Sequence, residues 1–479
     1  MRKSLSFLTT MLLIAFAALT QPAVAQTNDY LQVVGNMTVK VVITGSPEMP
    51  DLWYSFDKTN WTQITAETTI NKSKSYNWDP TPVCYFKGHN PQGFNKSATD
   101  YVSITITGGN PSLAGNVMSL IDDKTFATNN LTIPCDYCFY GLFCANPPTS
   151  FSTSGTYHST SSYTSLYHAN ELVLPATNLT AYCYAYMFAY NTGLYDSPEL
   201  PALVMKPYCY AHMFEYCMNN FCSQTAYNSG TRLPALPSQQ LAEGCYAFMF
   251  NMCPSIYNGE NDWYCLPAEE LAPYCYDGMF GTYRNSYYRY FKSLEIMATS
   301  LQDRCGNDIT NCMRRMLNYN PMNQTAGQFG RGALSVRMYW TDWGNTAVAT
   351  APTYGWFSGF LYSNCSFQYQ KGLTPLTKVA KTNYSNTTMS SLFPYSCTLT
   401  ENEFTYLTFN VNANGGTWEP GCTYDADIRR VVRSDYKAKT VPADPVKTAC
   451  AFRGWYTAPT GGTKVEKSTI LNQTTAQTY

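Results

Sequence analysis

The sequence predicts an α+β protein built on a central repeat solenoid, with a small β module at its C-terminal end. Three observations carry this. Segments 174–188, 200–214, 236–250 and 266–280 align without gaps on the pattern LPxxx(L/M)xxxCYxxMF. Within each, apolar residues recur four apart, as at Leu179, Cys183 and Met187 with Tyr184 and Phe188 beside them, which is a helical spacing. Near the end, residues 407–418 alternate apolar and polar into a Gly-Gly turn, the signature of a strand entering a hairpin.

At the N-terminus, Arg2 and Lys3 precede an apolar run over 7–19, and Ala23-Val24-Ala25 supplies a small-x-small cleavage site. This is the pattern of a secretory signal peptide over 1–25, too short to span a membrane. No cysteine precedes Cys84, which excludes lipid attachment at that cleavage site, and no later apolar run reaches spanning length. The mature chain is expected outside the cell. Its composition is 45% hydrophobic but only 13% charged, with 40 tyrosines and a net charge of −1. Such a balance offers no electrostatic pull on nucleic acid or anionic lipid. It predicts a neutral surface of Tyr, Ser, Thr and Asn, suited to contact with proteins or sugars.

In each repeat the Leu-Pro pair resists helix, because the residue before proline is pushed extended. Each unit therefore reads as an extended segment, a turn and a short helix. The shortest period, from Cys183 to Cys209, is 26 residues. One such unit cannot bury its own apolar face; stacked units can, with a continuous core. Weaker copies flank the four at 138–143 and 312–317. The connectors vary in length: 191–199 is short, whereas 218–232, 255–265 and 283–296 are longer and rich in Tyr, Asn and Ser. Insertions of this kind map to loops on one face, which is either a binding face or a tolerant one.

The LPxxxLxxxCYxxMF pattern resembles the leucine-rich repeats of BspA-like surface proteins of host-associated anaerobic bacteria. Trp53 and Trp61, then 84–94, 115–120 and 132–134, look like the N-terminal β domain that precedes such repeats, and 335–359, with Trp340, Trp343 and Trp356, looks like their closing segment. At the other end, 407–418, 441–445, 452–456 and 461–463 are similar in order to the internalin-type B repeat, a small β-grasp-like module of bacterial surface proteins. The resemblance implies a leucine-rich-repeat solenoid flanked by an N-terminal β domain and a C-terminal β-grasp-like module. Its parts would be a signal peptide (1–25), the β domain (26–128), the solenoid with its closing segment (129–372), a linker (373–402) and the B repeat (403–479).

Chemistry-bearing residues are few in kind. The chain has 18 cysteines, and in a secreted protein the default reading is disulfides. Yet Cys183, Cys209, Cys245 and Cys275 share one repeat phase and are expected to line a buried column as small hydrophobes. Cys217 and Cys253 form a second column position, which Asn191 and Tyr283 occupy elsewhere, so bridges there are not required. Cys135 and Cys138 make a CxxC, but no second ligand pair or thioredoxin-like setting accompanies it. The histidines are His89, His158, His168 and His212. His212 occupies a variable repeat position and is expected to face solvent, as are Glu215, Glu243, Glu269, Glu270 and Asp277. Asn-x-Ser/Thr sequons at Asn36, Asn60, Asn178 and Asn386 fit a secreted chain.

These observations predict no catalytic residues, no metal site and no cofactor. They point to a secreted protein, associated with the bacterial cell surface, that mediates adhesion or protein–protein interaction. Its partner would be host matrix or another cell surface. The alternative is glycan capture by exposed aromatics, and an enzyme of unknown type is the third reading. The connectors put forward Tyr195, Asp196, Glu199, Tyr227 and Trp263 as candidate contacts.

Overall fold

A computed structural model describes residues 29–479 except 129–130, 147, 154–165, 218–220, 254, 259–261, 284–291, 302–308, 310, 315, 317–318, 321–333, 342–365, 373–397, 412–413, 419–429, 437–438 and 440. The signal peptide, His158, Asn386, Trp343, Trp356 and most of the expected linker lie outside the described residues. Within them the protein is mostly β. No described helix is long and apolar enough to cross a membrane.

The N-terminal part is a seven-stranded sheet of β1 (Leu31–Thr44), β2 (Trp53–Ser55), β3 (Thr62–Gln63), β4 (Thr68–Lys72), β5 (Val83–Lys87), β6 (Tyr101–Asn116) and β7 (His168–Val173). Its path runs β3-β2-β5-β1-β6-β7, with β4 also on β1. The long strand β1 alternates Leu31, Val33, Met37, Val39 and Val41 into the core, and a bulge between Val34 and Asn36 divides its β5-paired half from its β4-paired half. Strand β7 comes from beyond the first weak repeat and pairs in parallel with β6, which joins this sheet to the repeats.

The repeats are not helical, and the expected α+β leucine-rich-repeat solenoid is overturned. Among the described residues the α-helices are two of five residues each, α1 (Gln224–Asn228) and α2 (Lys467–Leu471). The sheets are several and separate, and none forms a solenoid. Each CYxxMF segment is instead a run of overlapping turns. Every second N–H bonds three residues back, as Ala185 to Tyr182, Met187 to Tyr184 and Ala189 to Tyr186. The intervening N–H groups leave the segment, and Tyr184, Tyr186 and Phe188 donate to Cys209, Ala211 and Met213 of the next repeat. The same alternation recurs from 137 to 280. Every fourth residue is left-handed: Tyr182, Tyr186 and Tyr190, then Tyr208, His212 and Tyr216, then Gly244, Phe248 and Met252. An α-helix allows neither the positive φ nor the exported N–H.

The apolar stripe predicted at four-residue spacing is nonetheless inside. Cys138, Cys183, Cys209, Cys245, Cys275 and Cys312 are all fully buried and unbridged. Beside them Phe139, Tyr184, Tyr210, Tyr246 and Tyr276 stack with centroids 5.6–6.0 Å apart. A second stack runs through Phe143, Phe188, Phe214, Phe250 and Phe280 at 5.4–5.8 Å. The Leu-Pro arms add single parallel bridges, from Thr132 through Asn178, Val204 and Gln240 to Glu270.

Past the third repeat come β8 (Tyr264–Leu266), β9 (Thr282–Tyr283), β10 (Ser293–Ile296), β11 (Tyr319–Asn320), β12 (Ser335–Met338), β13 (Ser366–Gln370) and β14 (Thr398–Asn402). Five form a parallel sheet in the order β14-β13-β12-β10-β8, while β9 pairs with β11. The last residues of the expected linker, 398–402, are therefore the edge strand of this sheet. The C-terminal part holds β15 (Tyr406–Phe409), β16 (Arg430–Arg433), β17 (Trp455–Tyr456), β18 (Lys464–Val465) and β19 (Gln477–Thr478), as a three-stranded sheet β16-β15-β19 and a β17-β18 pair. Its own core is Leu407, Phe409, Trp418, Val432, Trp455 and Ile470.

Candidate binding surface

The turn pattern sets one side chain of each repeat at the surface. The residue before the repeat cysteine is left-handed every time: Tyr137, Tyr182, Tyr208, Gly244, Tyr274 and Asn311. The four tyrosines are half-buried. Tyr137 stacks on Tyr182 at 4.5 Å and Tyr182 on Tyr208 at 5.2 Å, with rings within 9° of parallel. The hydroxyl of Tyr208 donates to the exposed Glu243 carboxylate at 2.9 Å. Burial, and next to it this carboxylate, pushes the Tyr208 phenol above its ordinary range. At Gly244 the column changes, because a Cβ there would meet the Tyr208 ring at 2.1 Å. Phe151 meets the rings of both Tyr182 and Tyr208 edge-on, at 4.8 and 5.1 Å. The result is a rigid column of aromatic faces, each tipped with a hydroxyl. Sequence reasoning passed over it, although a tyrosine before the cysteine in three of the four strong repeats was the available signal.

One step further in, the repeats bury what was expected at the surface. His212 is fully buried between Tyr186 and Phe248, at 4.3 and 4.9 Å. Its Nε2 donates to the Ser152 carbonyl at 2.9 Å and its Nδ1 lies 2.8 Å from Glu215 Oε2. A carbonyl only accepts, so Nε2 carries one proton, and the contact between Nδ1 and the carboxyl group requires a second. Asn251 donates to the other Glu215 oxygen at 2.6 Å. Asp277, also buried, is held by the Arg314 guanidinium at 2.5 Å. Glu269 is buried against Arg430 at 3.4 Å and Glu270, half-buried, also pairs with Arg430. The solvated face expected for His212, Glu215, Glu243, Glu269, Glu270 and Asp277 is thus corrected, and of these six only Glu243 is exposed. Buried charge without a partner is costly, so these residues come as complementary sets.

The second cysteine column has a common role. Asn191 Nδ2, Cys217 Sγ and Cys253 Sγ donate to the carbonyls of Phe143, Phe188 and Phe214, at 2.8, 3.4 and 3.0 Å. A short donor is what the site selects, which is why Asn and Cys interchange there. In the first column burial raises the thiols, Cys209 and Cys312 to about 12. Cys135, half-exposed, is held below the usual thiol range by a hydrogen bond with Cys138, which burial raises.

The candidate contacts of the connectors separate. Asp196 is buried: it accepts from the N–H groups of Ala169 and Asn170 at 2.7 and 3.0 Å and meets His168 Nδ1 at 2.5 Å, so it fastens the start of β7. Tyr195 stacks beside it on Tyr167 at 5.5 Å. Glu199 is exposed. Tyr227, on α1, lies under the Arg232 guanidinium at 3.7 Å and its hydroxyl bonds Asp262. Trp263, the next residue, lies under Arg337 at 3.8 Å. Tyr227 and Trp263 are therefore brought near one another, through Asp262, while Tyr195 and Asp196 belong to a structural fastening.

Among the described residues His89, Asp122 and Asp123 group closely enough to hold a cation, but Lys87 already pairs with Asp123 at 3.0 Å. A cavity of about 400 Å³ opens in the C-terminal part between Val411, Lys447, Cys450, Phe452, Trp455 and Tyr479. The chain matches no protein-family model, no curated protein and no solved structure.

Proposed function

We propose that this is an extracellular, non-catalytic binding protein whose stacked repeats take a protein ligand, such as host matrix or another cell's surface, on the tyrosine column. The observation that carries the reading is the column itself: Tyr137, Tyr182 and Tyr208, half-exposed, parallel and pre-ordered by the turn ladder. Rigid tyrosines supply contact area and a hydrogen-bonding tip at low entropic cost, which is why they dominate binding surfaces. The ionisable side chains of the repeat interior support the same reading. His212, Glu215 and Asp277 are engaged with one another or with Arg314 and Asn251 rather than aimed at a cleft. The signal-peptide pattern and the likeness of the repeats to BspA-like surface proteins agree with it.

The test is binding of the mature chain to a panel of immobilised matrix proteins, wild type beside the Tyr182→Ser/Tyr208→Ser double variant. The expected result is a protein hit whose affinity falls at least about tenfold in the variant, read at a temperature where its far-ultraviolet dichroism still matches the wild type. A panel with no hit, or a hit indifferent to the double substitution, would sink the reading.

A further inference from the structure

The most exposed large hydrophobic side chains of the described residues lie outside the repeats, on the 73–82 connection between β4 and β5. Trp78 is 80% exposed and Tyr76 is 60% exposed. Their rings stack on each other with centroids 4.9 Å apart and planes 3° from parallel. The loop under them is tied down at three points. Asn36, at the bulge of β1, accepts from the Lys74 N–H at 2.9 Å; Gly35 N–H donates to the Pro82 carbonyl at 2.9 Å. Between these ends the Asp79 carboxylate accepts from both Ser75 and Tyr76 N–H, at 2.9 and 2.8 Å. The pair is thus held in place by its backbone while its outer ring faces stay in water. Exposed tryptophan at this level stabilises nothing in the free protein, and a local turn built to hold it there points to a ligand.

We propose that Tyr76 and Trp78 form a carbohydrate-binding platform for neutral hexose rings. The C–H face of a hexose carries partial positive charge and meets the electron-rich face of an aromatic ring, and the outer face of Trp78, backed by the stacked Tyr76 ring, matches one sugar unit. The side chains around the platform are those that hydrogen-bond sugar hydroxyls: Asn71, Ser73, Ser75 and Asn77 are all exposed. A protein partner needs roughly 800 Å² on each side, far more than two rings supply. Insertion into a membrane needs a broader apolar face than a loop of Asn, Ser, Lys, Asp and Pro presents. The platform is a separate site from the tyrosine column and stands whether or not that column binds protein.

The experiment uses the full mature chain against an array of neutral oligosaccharides, followed by calorimetric titration with cello-, laminari-, manno- and chito-oligosaccharides. Wild type, Trp78→Ala, Trp78→Phe and the Tyr182→Ser/Tyr208→Ser variant are compared. The expected result is a glycan hit that Trp78→Ala weakens at least about tenfold, that Trp78→Phe largely keeps, and that the repeat variant leaves unchanged. The loop adds little to the core, so the melting temperatures of the Trp78 variants should coincide with the wild type, and this separates lost binding from lost folding. No glycan hit, a hit unaltered by Trp78→Ala, or Trp78-dependent binding to phosphatidylcholine vesicles without a glycan hit would each overturn the proposal.

Discussion

Tyrosine in a left-handed conformation is uncommon, because its Cβ crowds the following carbonyl at a cost of about 1 kcal/mol or more. Here Tyr182, Tyr186, Tyr190, Tyr208 and Tyr216 all adopt it. The strain is tolerated because the N–H at each position bonds to the next repeat and each ring lies against a ring of a neighbouring repeat, Tyr182 on Tyr208, Tyr186 on His212 and Tyr190 on Tyr216. Glycine enters where a neighbouring ring leaves no room. Gly244 has φ +57°, and a Cβ there would lie 2.1 Å from the Tyr208 ring; Gly278 stands in the same relation to Phe248, at 2.3 Å. Gly244→Ala therefore adds backbone strain and displaces Tyr208 together. Its expected effect is a loss of about 1–3 kcal/mol in denaturant unfolding, with the tyrosine column disturbed. A variant as stable as the wild type would show that the ring does not rest on Gly244.

At the scale of the element, the turn ladder is a buried stack of weak acids. Burial raises the Cys209 and Cys312 thiols to about 12 and drives the Tyr184, Tyr210, Tyr246 and Tyr276 phenols well above their ordinary range. Unfolded, these groups ionise near 8.5 for cysteine and 10 for tyrosine. A folded value above the unfolded one means stability that is whole below the unfolded value and drains away as pH climbs toward the folded one. Alkaline titration followed by phenolate absorbance should therefore show two classes of tyrosine. The first is surface groups; the second appears only as the far-ultraviolet dichroism collapses, above about pH 10. If every tyrosine titrated together with the fold intact, the buried stack would be wrong.

Across the whole molecule, the C-terminal part is clamped to the sheet that follows the repeats rather than tethered beside it. Arg430 on β16 reaches Glu269 and Glu270. Arg433 reaches Glu295 on β10 at 3.3 Å and lies over the Tyr339 ring at 4.3 Å. The Tyr436 hydroxyl and Cys265 Sγ are 2.8 Å apart, and Thr299 donates to the Val431 carbonyl at 2.5 Å. Removing one member of a buried ion pair leaves the other desolvated, at about 3–5 kcal/mol. Arg430→Met should loosen this junction, so that thermal unfolding splits into two transitions and limited proteolysis frees the C-terminal part. One unchanged transition would mean that the junction does not depend on Arg430.

What the sequence by itself determined was the in-phase repetition, the inward cysteine column and the apolar identity of Leu179, Cys183 and Met187, since burial of a repeated stripe follows from composition and phase alone. Whether that stripe belonged to a helix was not decidable from spacing, because a period of four fits both a helix and a run of linked turns. Only the tertiary structure settled it: half of the N–H groups in each CYxxMF segment find their acceptors in the next repeat, so the conformation does not exist in one repeat alone. The same neighbours turned His212 and Glu215 inward, where stacked rings and a shared proton compensate their burial. They also left Tyr137, Tyr182 and Tyr208 at the surface, a separation that residue type could not reveal because tyrosine fills both positions.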